Sequence, residues 1–294
     1  MSISRQNLTV IIVTLKSEHI IDQCIQSIDD DISIIVVENS SNKNFKDYLE
    51  KKYRNVSCIL SSNNIGMGAG NNIGIENAKS DFVLILNPDV ILFKNTIDKL
   101  IKESNNLREF AIMSPISDNV NFPNYSIKEV KNIDYEKIFE VDSIDGFCML
   151  INKNKIKSIS KDAKTFDENF FMYLENDDLC KRVKKNNEKI FIVPTCKVKH
   201  FGAKGVSENY LKEVELSRNW HWSWSKFYFS KKHDGYLYAL LKGFPKFLSS
   251  IIKCFFYYII FKKYKSKIYY NRAFGFFNAM VGKSSWYRPN LDKE

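Results

Sequence analysis

The sequence predicts an α/β protein with a mostly parallel central sheet, followed by a basic, helical C-terminal region. Three observations carry this expectation. Apolar runs and helical stretches alternate through the first two thirds of the chain. The runs are continuous and rich in β-branched residues, as strands buried on both faces are. The charge is also unevenly placed. Residues 1–204 hold 28 Lys/Arg and 28 Asp/Glu, whereas residues 205–294 hold 16 and 6, so the net charge of +10 resides in the second stretch. The chain therefore reads as two parts, 1–204 and 205–294, with different tasks.

The elements follow in order. "LTVIIVTL" (8–15) is the first strand, and Ile20, Ile21, Cys24, Ile25 and Ile28 continue at helical spacing. "ISIIVVE" (32–38) is a second strand, "FKDYLEKKY" a short helix and "VSCIL" (56–60) a third strand. Residues 68–78 are helical, "DFVLIL" (81–86) is the fourth strand, and a helix over 95–104 precedes the strand "FAIMSP". Residues 115–142 lack periodicity and read as a loop. Strand character returns in "IDGFCMLINK" (144–153), and a helix is expected over 171–187. "KIFIV" and "CKVKHFG" read as two short extended segments. No internal repeat or low-complexity segment is present.

At 44% hydrophobic and 27% charged, the 294 residues are those of an ordinary globular protein. The six cysteines are widely separated and form no CxxC pair, which gives no zinc ribbon or thioredoxin motif and fits reduced thiols. The N-terminal apolar run is short, without a small-residue cleavage site, so no signal peptide is expected. The apolar stretch "CFFYYIIF" has lysines on both sides and falls short of the ~20 residues a spanning helix needs.

Open parallel sheets bind ligands beyond the carboxyl ends of their strands. Three of the strands end there in polar residues: Thr14, Glu38, and Asn87 with Asp89. An acid leaving a buried strand at that end faces a crevice rather than the core. A lone Asp after a strand, such as Asp89, is most often a turn or helix-cap residue. As a metal ligand it needs a phosphate-bearing partner and a further side chain, for which His200 is the candidate. "NNIGMGAGNNIG" (63–74) fails the GxGxxG spacing, because Asn71 or Ile73 occupies the last position, and it lacks a Walker lysine. Its glycines permit close backbone approach to a ligand or simply a tight entry into a helix. In "YLENDDLCKR", Glu175, Asp177 and Asp178 crowd within four residues. They are either favourable charges at a helix start or the source of a general base.

Taken together and in order, "VIIVTL", "VVENSS", "NNIGMGAGNNIG", "LILNPDV", "DGFCMLI", "FDENFFMYLENDDLCKR" and "VKHFGAKG" resemble the family 2 glycosyltransferases, especially the rhamnosyltransferase-like members of bacterial surface-polysaccharide synthesis. The resemblance covers about residues 8–206. It implies a GT-A fold and an inverting transfer from a nucleotide-diphosphate sugar, UDP- or dTDP-linked, with rhamnose one candidate sugar. "NPD" then stands at the DxD motif, with Asn87 in place of its first Asp. Asp89 and His200 are the implied ligands of Mn²⁺ or Mg²⁺. Thr14, Glu38, Asn64, Gly70 and Asn72 fall at the nucleotide, and Asp145 and Gly146 on the acceptor side. One departure stands out: the family's base is commonly the Asp of an "ED" pair, where this chain has Asn176. The expected base is therefore Glu175, with Asp177 second.

The C-terminal region mixes lysines with aromatic and apolar runs, as helices at membrane interfaces do. A cover for the catalytic domain or a homo-oligomer contact would use the same features. The high apolar content and the lack of a recognition motif argue against nucleic acid as a partner. The combined expectation is a transferase peripheral to the cytoplasmic face of a membrane, acting on a lipid-linked saccharide. The rival expectations are a non-catalytic nucleotide-sugar or glycan-binding protein, suggested by Asn176, and a sugar-phosphate nucleotidyltransferase, whose opening Gly-Arg-Lys loop this chain lacks.

Overall fold

The computed structural model describes residues 2–107, 109–128, 133–160, 164–202 and 204–291. The chain forms two compact units. One comprises Met1–Asp167 and Asn176–Ser207; the other comprises Glu168–Glu175 and Glu208–Glu294.

The first unit contains β1 (Leu8–Thr14), α1 (Ile21–Gln26), β2 (Ser33–Glu38), α2 (Lys43–Lys52), β3 (Val56–Leu60), α3 (Met67–Asn77), β4 (Phe82–Leu86), β5 (Val90–Leu92) and α4 (Thr96–Leu107). There follow β6 (Ile112–Ser117), β7 (Tyr125–Ser126), β8 (Phe139–Glu140), β9 (Ser143–Ile144), β10 (Cys148–Asn152), α5 (Lys153–Ile159), α6 (Glu175–Lys185) and β11 (Ile190–His200). The main sheet runs β3-β2-β1-β4-β10-β6-β11-β5, with β8 paired to β11. Strands β3, β2, β1 and β4 are mutually parallel, as are β6 and β11. Strand β10 joins these two parallel groups by running antiparallel to both β4 and β6.

All seven residues of β1 are buried. Its side chains alternate between two cores: Val10 and Ile12 enter one, and Ile11 and Val13 the other. A strand covered on both faces needs no polar alternation, which explains the continuous apolar run.

Several boundaries differ from the sequence expectation for identifiable reasons. The helix expected over 171–187 starts at Glu175, because Tyr173 and Leu174 have φ of 70° and 68° and cannot extend it backwards. The two segments expected over 189–202 are one strand, β11. Its register shifts between Val193 and Lys197, where Pro194 lacks the N–H a regular ladder requires. The expected loop of 115–142 contains β7 and β8 and is tied down by buried Asn124. That amide accepts from Ser117 N at 2.9 Å and donates to Ser114 Oγ at 3.1 Å. Residues 129–132 of the same stretch lie outside the described residues.

The second unit contains α7 (Leu211–Asp234), α8 (Tyr236–Ile259) and α9 (Lys263–Met280). Gly235, at φ 94°, makes the turn from α7 to α8. Trp220, Trp224, Phe227, Ala239, Phe276 and Ala279 form its core. The segment 168–175 belongs to this core as well. Phe171 stacks on His221 at 4.4 Å, Phe170 meets Tyr228 edge-on at 4.9 Å, and Ser225 Oγ donates to Met172 O at 2.8 Å. Among the described residues, no helix is long and apolar enough to cross a membrane.

Helices α7 and α9 approach closely because Gly275 has no side chain. A Cβ there would lie 2.1 Å from the Trp220 carbonyl oxygen. Replacing Gly275 with Ala is expected to destabilise the protein by ~1–3 kcal/mol, despite alanine's better helix propensity. Denaturant unfolding followed by circular dichroism measures this; an unchanged or raised midpoint would contradict the packing described.

Candidate active site

The carboxyl ends of β1 and β2 and the start of α3 bring polar side chains together inside the first unit. Helix α3 lies directly on β1, because a Cβ on Gly70 would come within 2.8 Å of Val13 and one on Gly74 within 2.4 Å of Ile11. Thr14, fully buried, ends β1, and its Oγ1 has no hydrogen-bond partner among the described residues. Asn39 follows β2. Its backbone N–H donates to Thr14 O at 2.9 Å and its Nδ2 to Gly66 O at 3.1 Å. The Oδ1 atoms of Asn39 and of Asn71, in the first turns of α3, are likewise buried without a partner. Buried polar atoms are normally satisfied, so three such atoms in one region suit a polar ligand.

Other residues named from the sequence are bound into the scaffold. Glu38 is fully buried and caps its own loop: Oε1 accepts from Ser40 N and Oγ, and Oε2 accepts from Asn42 N at 2.7 Å. Asn72 clamps Phe166, donating to its carbonyl at 2.8 Å and accepting from its N–H at 2.9 Å. Asn64 Oδ1 accepts from Gly66 N at 3.2 Å.

"NPD" forms a tight turn between β4 and β5. Asn87 N donates to Phe147 O at 2.9 Å, and Asn87 O accepts from Val90 N at 3.1 Å. The antiparallel pairing of β5 with β11 sets His200 opposite Val90, one residue from Asp89. His200 Nε2 lies 3.4 Å from Asp89 Oδ1, and its ring stacks on Phe147 at 4.2 Å. Asp89 Oδ2 accepts from Lys204 N at 3.1 Å. Burial alone would push the Asp89 carboxyl up. The His200 ring and the Lys204 amide outweigh it and hold the carboxyl below its ordinary range. Among the described residues, no three His, Cys, Asp or Glu side chains converge as a metal cage. One carboxylate and one imidazole fit a divalent ion that shares its coordination with a diphosphate and water, not one held by protein alone.

A second acidic cluster lies on β9, the turn after it and α6. Burial raises the carboxyl of Asp177; the charge of Asp145 raises it further, and the Ser143 hydroxyl pulls the other way. Asp145 remains open to solvent, yet the surrounding protein raises its carboxyl too, while His200 draws it down. Asn176, at the expected base position, donates its Nδ2 to Ile144 O at 2.8 Å. A Cβ on Gly146 would lie 3.3 Å from Asn176 Cβ, so glycine lets the turn lie against α6. Asp178 is fully buried in an ion pair with Arg182 at 2.9 Å, a structural anchor. Glu175 heads α6 but groups with the second unit. The structure thus brings Asp89, His200, Asp145 and Asp177 into one electrostatic neighbourhood in the first unit. It adds Asn39 and Asn71, which the sequence reading missed although Asn39 directly follows Glu38 at the strand end.

The profile described as Glycosyl transferase family 2 matches residues 9–181. The chain belongs to this family. It is 28% identical over 204 residues to the low-salt glycan biosynthesis hexosyltransferase Agl10 of Haloferax volcanii, covering 63% of this chain and 64% of that relative, so it spans less than two thirds of the relative's length. It is 25% identical over 225 residues to the rhamnosyltransferase WbbL of Escherichia coli K12, covering 65% and 82%. Among solved structures, S. aureus TarS 1–349 in complex with UDP-GlcNAc is similar over 96% of this chain and 93% of that one, with TM-score 0.53 and 16% identity. GalNAc-T7 with UDP, GalNAc and Mn²⁺ is similar over 78% and 50%, with TM-score 0.54 and 14% identity. At these identities the structural likeness establishes the fold, the GT-A arrangement expected of a family 2 glycosyltransferase.

Since Thr14 Oγ1 has no partner to lose, Thr14→Val is expected to leave the thermal midpoint unchanged or higher. A loss above about 1 kcal/mol would reveal a structural bond and remove the reason to assign the hydroxyl to a ligand.

Proposed function

We propose that this family 2 glycosyltransferase is an inverting, metal-dependent enzyme that moves a sugar from a UDP- or dTDP-linked donor to a lipid-linked saccharide in surface-polysaccharide synthesis, with rhamnose one candidate sugar. The observation that carries the reading is the Asp89–His200 pair at the carboxyl end of the sheet, electrostatically coupled to Asp145 and through it to Asp177. Thr14, Asn39 and Asn71 offer unfilled polar atoms for the nucleotide, and Gly70 lets α3 close on it. Glu38 and Asn72 fix the segments beside these atoms through their hydrogen bonds.

Asp89 and His200 would hold the Mn²⁺ or Mg²⁺, which when bound neutralises charge on the departing diphosphate. The acceptor hydroxyl loses its proton to a carboxylate as its oxygen attacks the anomeric carbon, on the face opposite the nucleotide. The carbon–oxygen bond to the diphosphate breaks, and the configuration inverts. The Asp177 carboxyl is raised above its ordinary value, the direction that strengthens a carboxylate as a base. Glu175, one residue before Asn176, is the other candidate. Asp145 and Gly146 border the acceptor. The exposed apolar side chains of α8 support a peripheral position on a membrane, which for this reading is its cytoplasmic face.

Calorimetry with UDP- and dTDP-sugars, in Mn²⁺ or in EDTA, tests the donor site. Binding should require the metal, and Asp89→Asn should weaken it by about tenfold or more. Thr14→Val should also weaken it while the fold holds. Asp177→Asn should lower kcat by about 10²–10⁴ with donor affinity little changed. Because that carboxyl sits above its ordinary 3.8, and a base must be ionised, wild-type kcat/KM should fall as pH drops through a midpoint above that value. Loss in Glu175→Gln instead would move the base there. Donor binding without turnover in the wild type would favour the non-catalytic reading that Asn176 suggests.

A further inference from the structure

The second unit has a half-open cavity of about 560 Å³ among α7, α8 and α9. Lys226, Lys242, Lys246, Lys253 and Arg272 line it, and none of the described residues lining it is acidic. Four of the five lie over aromatic rings instead. Lys226 lies 4.0 Å from the Trp222 ring centroid, and Lys253 and Arg272 lie 5.5 and 5.2 Å from that of Tyr269. Among the described residues, none of the five forms an ion pair. Burial, followed by the charges of Lys246 and Lys242, lowers the pKa of Lys226. Five like charges gathered around one space repel one another, and a polyanion relieves that repulsion.

The cavity shares α8 with an unusual surface. Lys242, Lys246 and Lys253 lie along its cavity side. Leu237, Leu241, Phe244, Leu248, Ile252 and Phe255 follow one another at three- and four-residue spacing along its other side. These six are exposed, Leu241 at 67% and Phe255 at 65%. A helix of a water-soluble protein normally turns such a stripe inward. Here the outward stripe is apolar, and the three lysines, themselves exposed, lie on the side of the helix that borders the cavity. A free anion would need the cavity alone, and nucleic acid would leave the apolar stripe in water. A phosphate-bearing lipid engages both.

We propose that this cavity seats the phosphate or diphosphate head of a membrane lipid, with the apolar face of α8 lying in the adjoining acyl region. The proposal deepens the membrane placement proposed above and rests on it. Transfer chemistry is tested separately by metal-dependent donor binding, which the first unit supports on its own residues.

The test uses the full chain and probes that carry the chemistry in soluble form: dihexanoyl phosphatidic acid, dihexanoyl phosphatidylcholine and inorganic diphosphate, each titrated calorimetrically. Dihexanoyl phosphatidic acid should bind one per chain, about tenfold or more tighter than the other two. Lys246→Gln/Lys253→Gln should abolish that preference. Lys262→Gln/Lys263→Gln, which removes the same charge from outside the cavity lining, should retain it. Thermal melts confirm that each variant is folded, and Lys242→Gln alone serves if the double variant is not. Diphosphate binding as tightly as the lipid would assign the cavity to a free anion and overturn the proposal. Equal losses in the two double variants would reduce the effect to diffuse charge, with the same consequence. Sedimentation that shows a dimer dissociated by Leu241→Asn/Phe255→Asn, with no lipid binding, would assign the α8 face to a second copy of the chain and likewise overturn it.

Discussion

The close approach of α3 to β1 is the constraint on which the candidate site depends. Gly70 and Gly74 leave room for Val13 and Ile11, so the helix lies directly on the strand. Any side chain at either position would lift α3 and carry Asn71 and Asn72 away from the strand ends. Two features follow from this contact. Asn72 reaches Phe166 and fixes the chain that leads toward α6, while Asn71 is held in a dry place with its carbonyl unsatisfied. A buried acceptor without a partner is costly unless something else compensates for it. The nucleotide proposed above would offset that cost by completing the set.

Strands β1, β2 and β4 were readable because burial on both faces demands an unbroken apolar run. Their polar ends were readable for the complementary reason, since a side chain such as Asp89 has no place in the apolar core that such a run forms. Strand β5 was not, because three residues carry no period and its existence depends on distant pairing with β11. Helix α5 buries only Ile156, too little for an amphipathic pattern to emerge. The continuity of β11 was hidden by Pro194, which reads locally as a strand breaker and is absorbed by a register shift. At the site, Glu38 was recognisable as a strand-end acid. That its two oxygens would cap their own loop depends on backbone N–H directions that no residue pattern encodes. The same limit concealed the unsatisfied atoms of Asn39 and Asn71.

The acidic stretch of α6 shows how neighbours of similar chemistry acquire separate roles. Asp178 is neutralised by Arg182 and anchors the helix, whereas Asp177 faces Asp145 and Ser143 and has its carboxyl raised. Asn176 holds the carbonyl of Ile144 and so joins the helix to the turn that carries Asp145 and Gly146. An amide there cannot accept a proton as a carboxylate does, but it ties the helix to the turn.

The path of the backbone has a consequence for how the protein can be divided. The chain leaves the first unit after Asp167, contributes eight residues to the second, and returns at Asn176. In that excursion Phe170 and Phe171 are buried with Tyr228 and His221 of α7. A single cut after Ser207 therefore does not yield two self-sufficient fragments. The N-terminal fragment would carry two bare phenylalanine rings on its surface, and the C-terminal fragment would lack part of its own interior. The helical unit is thus assembled from two separate stretches of chain, and a single truncation that removes one of them leaves it incomplete.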